Sequence, residues 1–150
     1  MFKPTKFFWK AGKHDLRYFR GTIVYGLWYR QMDEVKLHGF TNADWAGSPT
    51  DRKSTSGGIF SIRSTAVSWY SRKQRSVALI SAEVEYMAAS LAACEAIWIR
   101  KILVGLFGSH LDPTVIHCDN QSCIKLSVNP VFHDRSKHID IWYHHIRYCV

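Results

Sequence analysis

The 150-residue sequence has no C-x-x-C pair, no internal repeat, no low-complexity tract and no apolar run long enough to span a bilayer. Its four cysteines, Cys94, Cys118, Cys123 and Cys149, do not form a disulfide framework, which points to a reducing, intracellular compartment. Cys94 falls in a helix-like apolar run and Cys118 in a strand-like one, so both read as buried small apolar groups. His117, Cys118, Cys123, His133 and His138 lie close in sequence but match no standard zinc spacing. The stretch Tyr86–Ile99 is broken by Glu95, whereas a membrane span needs roughly 20 apolar residues, so no membrane partner is expected. The cluster Phe7-Phe8-Trp9 ends at Lys10, too short for the core of a secretory signal.

Positive charge is in excess. Twenty Lys and Arg against 12 Asp and Glu give a net charge of +8 and a pI near 9.5. A basic single domain points to a polyanion such as nucleic acid, although solubility alone also accounts for such a surface. With 47% hydrophobic and 21% charged residues, the chain is too apolar to be disordered throughout.

Periodicity predicts a helix over Thr5–Phe19, stopped by Gly21. Ile23–Tyr29 is apolar, aromatic and β-branched and reads as a strand, followed by a connector, Gln31–Glu34. Val35–Asp44 reads as a strand and Ser48–Ser56 as a polar turn. Gly57–Ile62 and Ala66–Ser71 are two further strands in antiparallel hairpins, and Ser71–Arg75 is a basic loop. Ser81 is a candidate cap for a long helix from about Ala82 to Leu106. Its apolar stripe, Val84, Met87, Leu91, Trp98, Ile102 and Leu106, runs beside Ala88, Ala89, Ala92, Ala93 and Ala96. Gly105, Gly108 and Pro113 mark its exit. Thr114–Cys118 reads as a buried strand. Gln121–Leu126 reads as a second helix, broken by Asn129-Pro130, and Lys137–Tyr148 as a third. Three antiparallel strands, a long helix and a parallel return make an α/β fold with a mixed sheet.

That topology gathers polar residues that do not suit a core. Asn42 and Asp44 lie two apart near the end of the first sheet strand and face the same way. Glu85 lies near the start of the long helix, beside the alanine stripe. Asp119 ends the parallel strand, where α/β sheets often place ligands. Carboxylates from separate elements persist together when a cation compensates them, and oxygen ligands suit Mg²⁺ or Mn²⁺. Plainer roles are equally open: Asp119 as a helix cap, Glu85 as a favourable charge near a helix N-terminus, Asp44 as a turn residue.

Gly39–Gly57 (GFTNADWAGSPTDRKSTSG), Ala66–Ser90 (AVSWYSRKQRSVALISAEVEYMAAS), Val115–Leu126 (VIHCDNQSCIKL) and Asn129–Arg147 (NPVFHDRSKHIDIWYHHIR) closely resemble the ribonuclease H domain of copia-type retrotransposon polyproteins. Residues 1–34 resemble that family's connection from the reverse transcriptase side, and 35–150 its ribonuclease H-like domain. The resemblance implies a ribonuclease H-like fold. It also implies hydrolysis of the RNA strand of RNA–DNA hybrids with two divalent ions, and a reverse transcriptase portion of the same polyprotein as partner. It matches Glu85 and Asp119 to metal-binding carboxylates. The family motif T-D-A-D-W-A-G reads TNADWAG here, so Asn42 stands where the family has a metal-binding Asp, with Asp44 as an imperfect substitute. The family also continues past the H-I-R segment with a strand and a helix that carries the fourth carboxylate, whereas this sequence stops at Val150; Asp140 belongs to an earlier motif. Impaired catalysis is therefore expected. The alternatives are residual Mn²⁺-dependent cleavage, or a non-catalytic relic that binds nucleic acid or protein.

Arg52, Lys53 and Ser54 after the first strand, and Arg72, Lys73, Gln74 and Arg75 before the long helix, are candidate phosphate contacts. Asn120 and Gln121 are candidate donors to a 2′-hydroxyl. Trp45, Trp69, Trp98 and Trp142 read mainly as core residues, with base stacking as the alternative. His133 and His138 read as ordinary surface or capping residues rather than proton shuttles.

Overall fold

The computed structural model describes residues 5–30, 35–108, 111–128 and 141–150. The chain divides into two compact units between residues 30 and 31. In the first, helix α1 (Lys6–Gly21) starts where the Thr5 hydroxyl accepts the Phe8 N–H at 3.4 Å. Gly21 is its last residue, and Thr22 makes the cap instead. The Thr22 N–H reaches the Phe19 carbonyl at 3.2 Å and its hydroxyl donates to the Tyr18 carbonyl at 2.9 Å. The strand expected over Ile23–Tyr29 does not form: a turn ends at Val24 and residues 25–30 carry no regular structure. Aromatic and β-branched residues make a strand only beside a ladder partner, and no described strand pairs with this segment. The connector expected at 31–34 lies outside the described residues.

In the second unit, β1 (Leu37–Ala43), β2 (Thr55–Ile62) and β3 (Thr65–Lys73) form an antiparallel meander, and β4 (Val115–His117) returns parallel to β1. The strand order is β3-β2-β1-β4. Helix α2 (Ser81–Phe107) supplies the crossover that a parallel return requires. Helix α3 (Gln121–Val128) follows β4, and a 3-10 helix covers Ile141–Tyr148. This is the mixed-sheet, long-helix architecture of a ribonuclease H-like fold. The breaker at 129–130 and the start of the expected third helix, 137–140, lie outside the described residues.

Helix α2 packs against β1, β2, β4, α3 and the 3-10 helix. Ala92, Ala96, Ile99 and Leu103 meet Leu37, Phe60 and Leu111, while Tyr86, Met87, Ala89 and Ala93 meet Cys123, Tyr143 and Ile146. The alanine face therefore wins the later turns: Trp98 and Leu106 of the expected stripe are exposed. Small side chains let the helix axis approach the sheet, and the bulkier stripe rotates outward. Within the sheet, Gly39 leaves room for its cross-strand neighbour: an added Cβ would lie 2.7 Å from the Phe60 ring. Ser81 does not cap α2. Ile80 holds the N-cap position without a side-chain bond, and the Glu83 carboxylate accepts the Leu79 N–H at 2.8 Å. Gly108, at φ +65°, ends the helix with its N–H on the Val104 carbonyl at 2.8 Å.

Other expectations change with the packing. β3 extends to Lys73, so Arg72 and Lys73 are strand residues rather than loop residues. β4 is a short edge strand with Val115 and His117 exposed, not a buried one. Cys94 is exposed and Cys118 half-buried, and Cys123 is the thiol in the core. Trp45, Trp69 and Trp98 are exposed at 62%, 69% and 56%, so they do not build the core. The ladder registers align Trp69, Ile59, Phe40 and His117 in one row across all four strands, on the face opposite Phe60 and Gly39.

Candidate functional site

From Glu83 to Ser90 every residue of α2 is buried, and Glu85 retains only 8% of its surface. Its Oε1 accepts the Ala43 N–H at 3.1 Å, which ties the helix to the end of β1. Its Oε2 is buried and has no hydrogen-bond partner among the described residues. A buried carboxylate oxygen left unsatisfied is unfavourable in a native fold. Burial raises the Glu85 pKa; the Ala43 hydrogen bond opposes this, and the nearby Asp119 charge adds to it.

Asp119 emerges from the end of β4 and is exposed. Ligand atoms of Glu85, Cys118 and Asp119 all lie within 4.8 Å of one another. Phe40 pairs with His117 in the parallel ladder, so Asn42 and Asp119, two residues further along each chain, continue towards the same end of neighbouring strands. Phe40 and His117 stack at 4.7 Å, leading up to that end. Two carboxylates, with the orphaned Glu85 oxygen, suit a divalent cation, and the oxygen donors suit Mg²⁺ or Mn²⁺. Asn42 is exposed on the face of β1 that carries Phe40, and its amide has no charge.

Asp44 is directed elsewhere. Its N–H bonds to the Thr55 carbonyl at 3.1 Å, and its carboxylate accepts the Thr55 N–H. An added Cβ on Gly47 would strike that carboxylate. The side chain closes the β1–β2 loop and does not belong to the Glu85–Cys118–Asp119 group. Asp119 does not cap α3 either. The Asn120 side chain does, accepting the Cys123 N–H at 2.9 Å.

The candidate phosphate contacts divide. Ser54 is buried and accepts the Ala46 N–H at 2.9 Å, so it is a loop fastener. Arg52 sits at a turn with φ +54°, exposed. Lys73 meets Asp51 at 2.9 Å, and bonds from Ser48 and Lys73 hold that carboxyl well below its usual range. Arg72 lies over the Tyr70 ring and 3.7 Å from Glu95. Arg72, Lys73 and Arg75 share a surface cavity with Leu91, Cys94 and Tyr143. Gln74 is buried inside this strip and donates to Ser56 at 2.9 Å and to the Val84 carbonyl at 3.0 Å. Gln121 is exposed in the first turn of α3. His133 and His138 lie outside the described residues.

Two neighbours of the site were not singled out for it by the sequence. Cys118 reads there as a packing thiol and as one of a histidine–cysteine set without zinc spacing, whereas its thiol lies beside Glu85 and Asp119. Glu83 helps fix the start of α2 two residues before Glu85.

The amino-acid sequence was compared with those of known proteins. The chain is 44% identical over 98% of its length to the retrovirus-related Pol polyprotein from transposon TNT 1-94 of Nicotiana tabacum. It is 40% identical, over the same share, to that from transposon RE2 of Arabidopsis thaliana. Over nearly its whole length the chain is similar to one segment of retrovirus-related Pol polyproteins from plant transposons. It spans about a tenth of these relatives, 11% and 10% of their respective lengths. It is also 48% identical over 64% of its length to the secreted RxLR effector protein 161 of Plasmopara viticola, covering 68% of that protein. No protein-family model and no solved structure matches. The Pol relatives align over nearly the whole of this chain, so the segments carrying Asn42, Glu85 and Asp119 lie within the stretch similar to Pol.

Proposed function

We propose that this Pol segment is a ribonuclease H-type module for the RNA strand of RNA–DNA hybrids, weakened by Asn42. The reading rests above all on the buried Glu85 carboxylate, whose free oxygen is held beside Asp119 at the end of a parallel strand. Divalent Mg²⁺ or Mn²⁺ held there would activate water and stabilise the leaving oxygen of a phosphodiester. Glu85, fixed by the Ala43 N–H, positions one oxygen for the ion, and Asp119 brings a second carboxylate from the strand end. Asn42 supplies oxygen without charge. Arg52, Lys53, Arg72, Lys73 and Arg75 steer and hold phosphates without choosing sequence. Gln121, exposed in the first turn of α3, is a candidate donor to a ribose hydroxyl. The partner in the whole polyprotein is the reverse transcriptase portion.

The deciding assay is cleavage of a labelled hybrid in Mg²⁺ and then Mn²⁺, comparing the natural chain, Asn42→Asp and Glu85→Gln. The expected result is weak or Mn²⁺-restricted cleavage by the natural chain, a gain of at least tenfold in Asn42→Asp, and none in Glu85→Gln. Silence from a folded Asn42→Asp chain overturns the nuclease reading. Non-catalytic nucleic-acid binding is the second reading, favoured by the cavity lined by Arg72, Lys73 and Arg75. Salt-sensitive hybrid binding without cleavage, with binding falling log-linearly as salt rises, would support it.

A further inference from the structure

Most of the chain's excess charge sits in its first unit. Residues 1–30 hold seven Lys and Arg against one Asp, so they carry +6 of the net +8. Five of the seven lie on α1: Lys6, Lys10, Lys13, Arg17 and Arg20. They are spaced alternately by four and three residues, so at 3.6 residues per turn they fall within an arc of about 80° and form one ridge, about 21 Å long. α1 has no buried residue, and no ion pair among the described residues involves any of the five. Like charges at these spacings repel and weaken a helix, and a polyanion laid along the ridge removes that cost. Two kinds of polyanion accept a basic amphipathic helix: a duplex backbone and an anionic bilayer. The opposite arc decides between them. Phe7, Phe8, Leu16, Tyr18 and Phe19 are exposed there, but Asp15 stands in their midst. Lying in a bilayer interface would sink that carboxylate together with the rings, whereas a duplex engages the basic arc alone.

We propose that the ridge Lys6, Lys10, Lys13, Arg17 and Arg20 binds the phosphate backbone of double-stranded nucleic acid and supplies most of the chain's salt-dependent affinity for it. The inference goes beyond the hydrolysis reading and does not rest on the Glu85–Asp119 site. One strand of a duplex carries a phosphate every 3.4 Å or so of axis, so the ridge runs beside about six phosphates. Each cation that meets a phosphate releases condensed counterions, which gives affinity without any base contact and therefore without sequence choice. The second unit competes poorly for this role. It carries only +2, and two of its basic side chains already face carboxylates: Lys73 meets Asp51 at 2.9 Å, and Arg72 lies 3.7 Å from Glu95. Lys13 lies over the Trp9 ring at 5.2 Å, where the ridge meets the aromatic side of the helix.

The test uses the full chain in EDTA, so that neither hydrolysis nor a divalent ion enters. Fluorescence anisotropy of a labelled RNA–DNA hybrid, and of a DNA duplex of the same sequence, follows binding between about 50 and 200 mM salt. At about −0.9 per phosphate contact, the five-residue ridge contributes a log–log slope of about −4.5. Lys10→Gln/Lys13→Gln/Arg17→Gln should make the slope shallower by about 2.7 and weaken binding at least tenfold on both duplexes, while Gln keeps the helix propensity of Lys and Arg. Arg63→Gln/Lys101→Gln/Lys125→Gln removes the same charge from exposed positions of the second unit and should change the slope by less than about one. Circular dichroism confirms that each variant is folded. If the first triple does not fold, Lys6→Gln/Arg20→Gln, at the two ends of the ridge, replaces it and should make the slope shallower by about 1.8. Equal slope changes in the two triples overturn the proposal, because net charge alone then accounts for binding. So does a natural chain that binds neither duplex, or one that binds phosphatidylserine vesicles through α1 while its hybrid slope ignores the substitutions. A natural chain that cleaves the hybrid without ridge-dependent binding would overturn this proposal and leave the hydrolysis reading standing. Ridge-dependent binding with no cleavage by Asn42→Asp would do the reverse.

Discussion

The buried Glu85 and the half-buried Tyr70 both have raised pKa values, so each weakens the fold as pH rises, in separate pH windows. The Glu85 pKa is raised, mainly by burial, so the folded chain holds its proton more firmly than the unfolded chain. Stability therefore falls as pH rises from the unfolded carboxylate value through the raised folded one. In metal-free buffer, Glu85→Gln should raise the melting temperature at neutral pH, and the gain should close as pH falls below the ordinary carboxylate range. Added Mn²⁺ should stabilise the natural chain but not the variant. The Tyr70 hydroxyl is buried without a well-formed hydrogen bond, and its pKa is pushed up to about 12. Its contribution is intact below the unfolded value near 10 and is lost as pH climbs through about 12. Tyr70→Phe should change stability at pH 7 by no more than about 1 kcal/mol. It should also delay alkaline unfolding, measured by far-ultraviolet circular dichroism. Residue roles were only half legible in the sequence. Glu85 and Asp119 stood out because charge is out of place beside alanines or at a strand end. Asp44 and Ser54 did not reveal that backbone N–H groups of their own loop claim their oxygens, since such bonds depend on how the loop closes.

At the scale of elements, the close fit of β1 against the Phe60 ring of its neighbour β2 gives the sharpest prediction. Gly39→Ala places a methyl against the Phe60 ring, and overpacking of this kind costs about 1–3 kcal/mol. Gly57→Ala is the matched control on the neighbouring strand, because its nearest neighbour is the Asn42 carbonyl at 3.8 Å. Urea midpoints should separate the two variants clearly. β1, β2, β3, α2 and α3 were legible because alternation, helical spacing and turn residues are local signals. The Ile23–Tyr29 strand was not, because strand formation there depends on a partner and its own residues name none. The face of α2 was misjudged in its later turns for a related reason: Trp98, Ile102 and Leu106 carry more apolar surface, but the alanine side fits the sheet.

For the whole molecule, charge and topology act together. A net charge of +8 favours polyanions at long range, and the parallel β1–β4 pair brings Asn42 and Asp119 to one end of the sheet. Calorimetric titration with Mn²⁺ should show tighter binding by Asn42→Asp than by the natural chain; equal affinities would remove Asn42 from the site. The overall α/β order was readable because a long helix between a meander and one further strand leaves few ways to complete a sheet. The outward placement of the tryptophans has a practical consequence for following any of these transitions. Trp9, Trp28, Trp45, Trp69 and Trp98 are all more than half exposed in the folded chain. Emission from these five indoles should already be close to that of water-exposed tryptophan, so their share of the fluorescence should shift little on unfolding. Tyr86 and Tyr143, at 0% and 1% exposure, are the native chromophores whose surroundings change when the core opens.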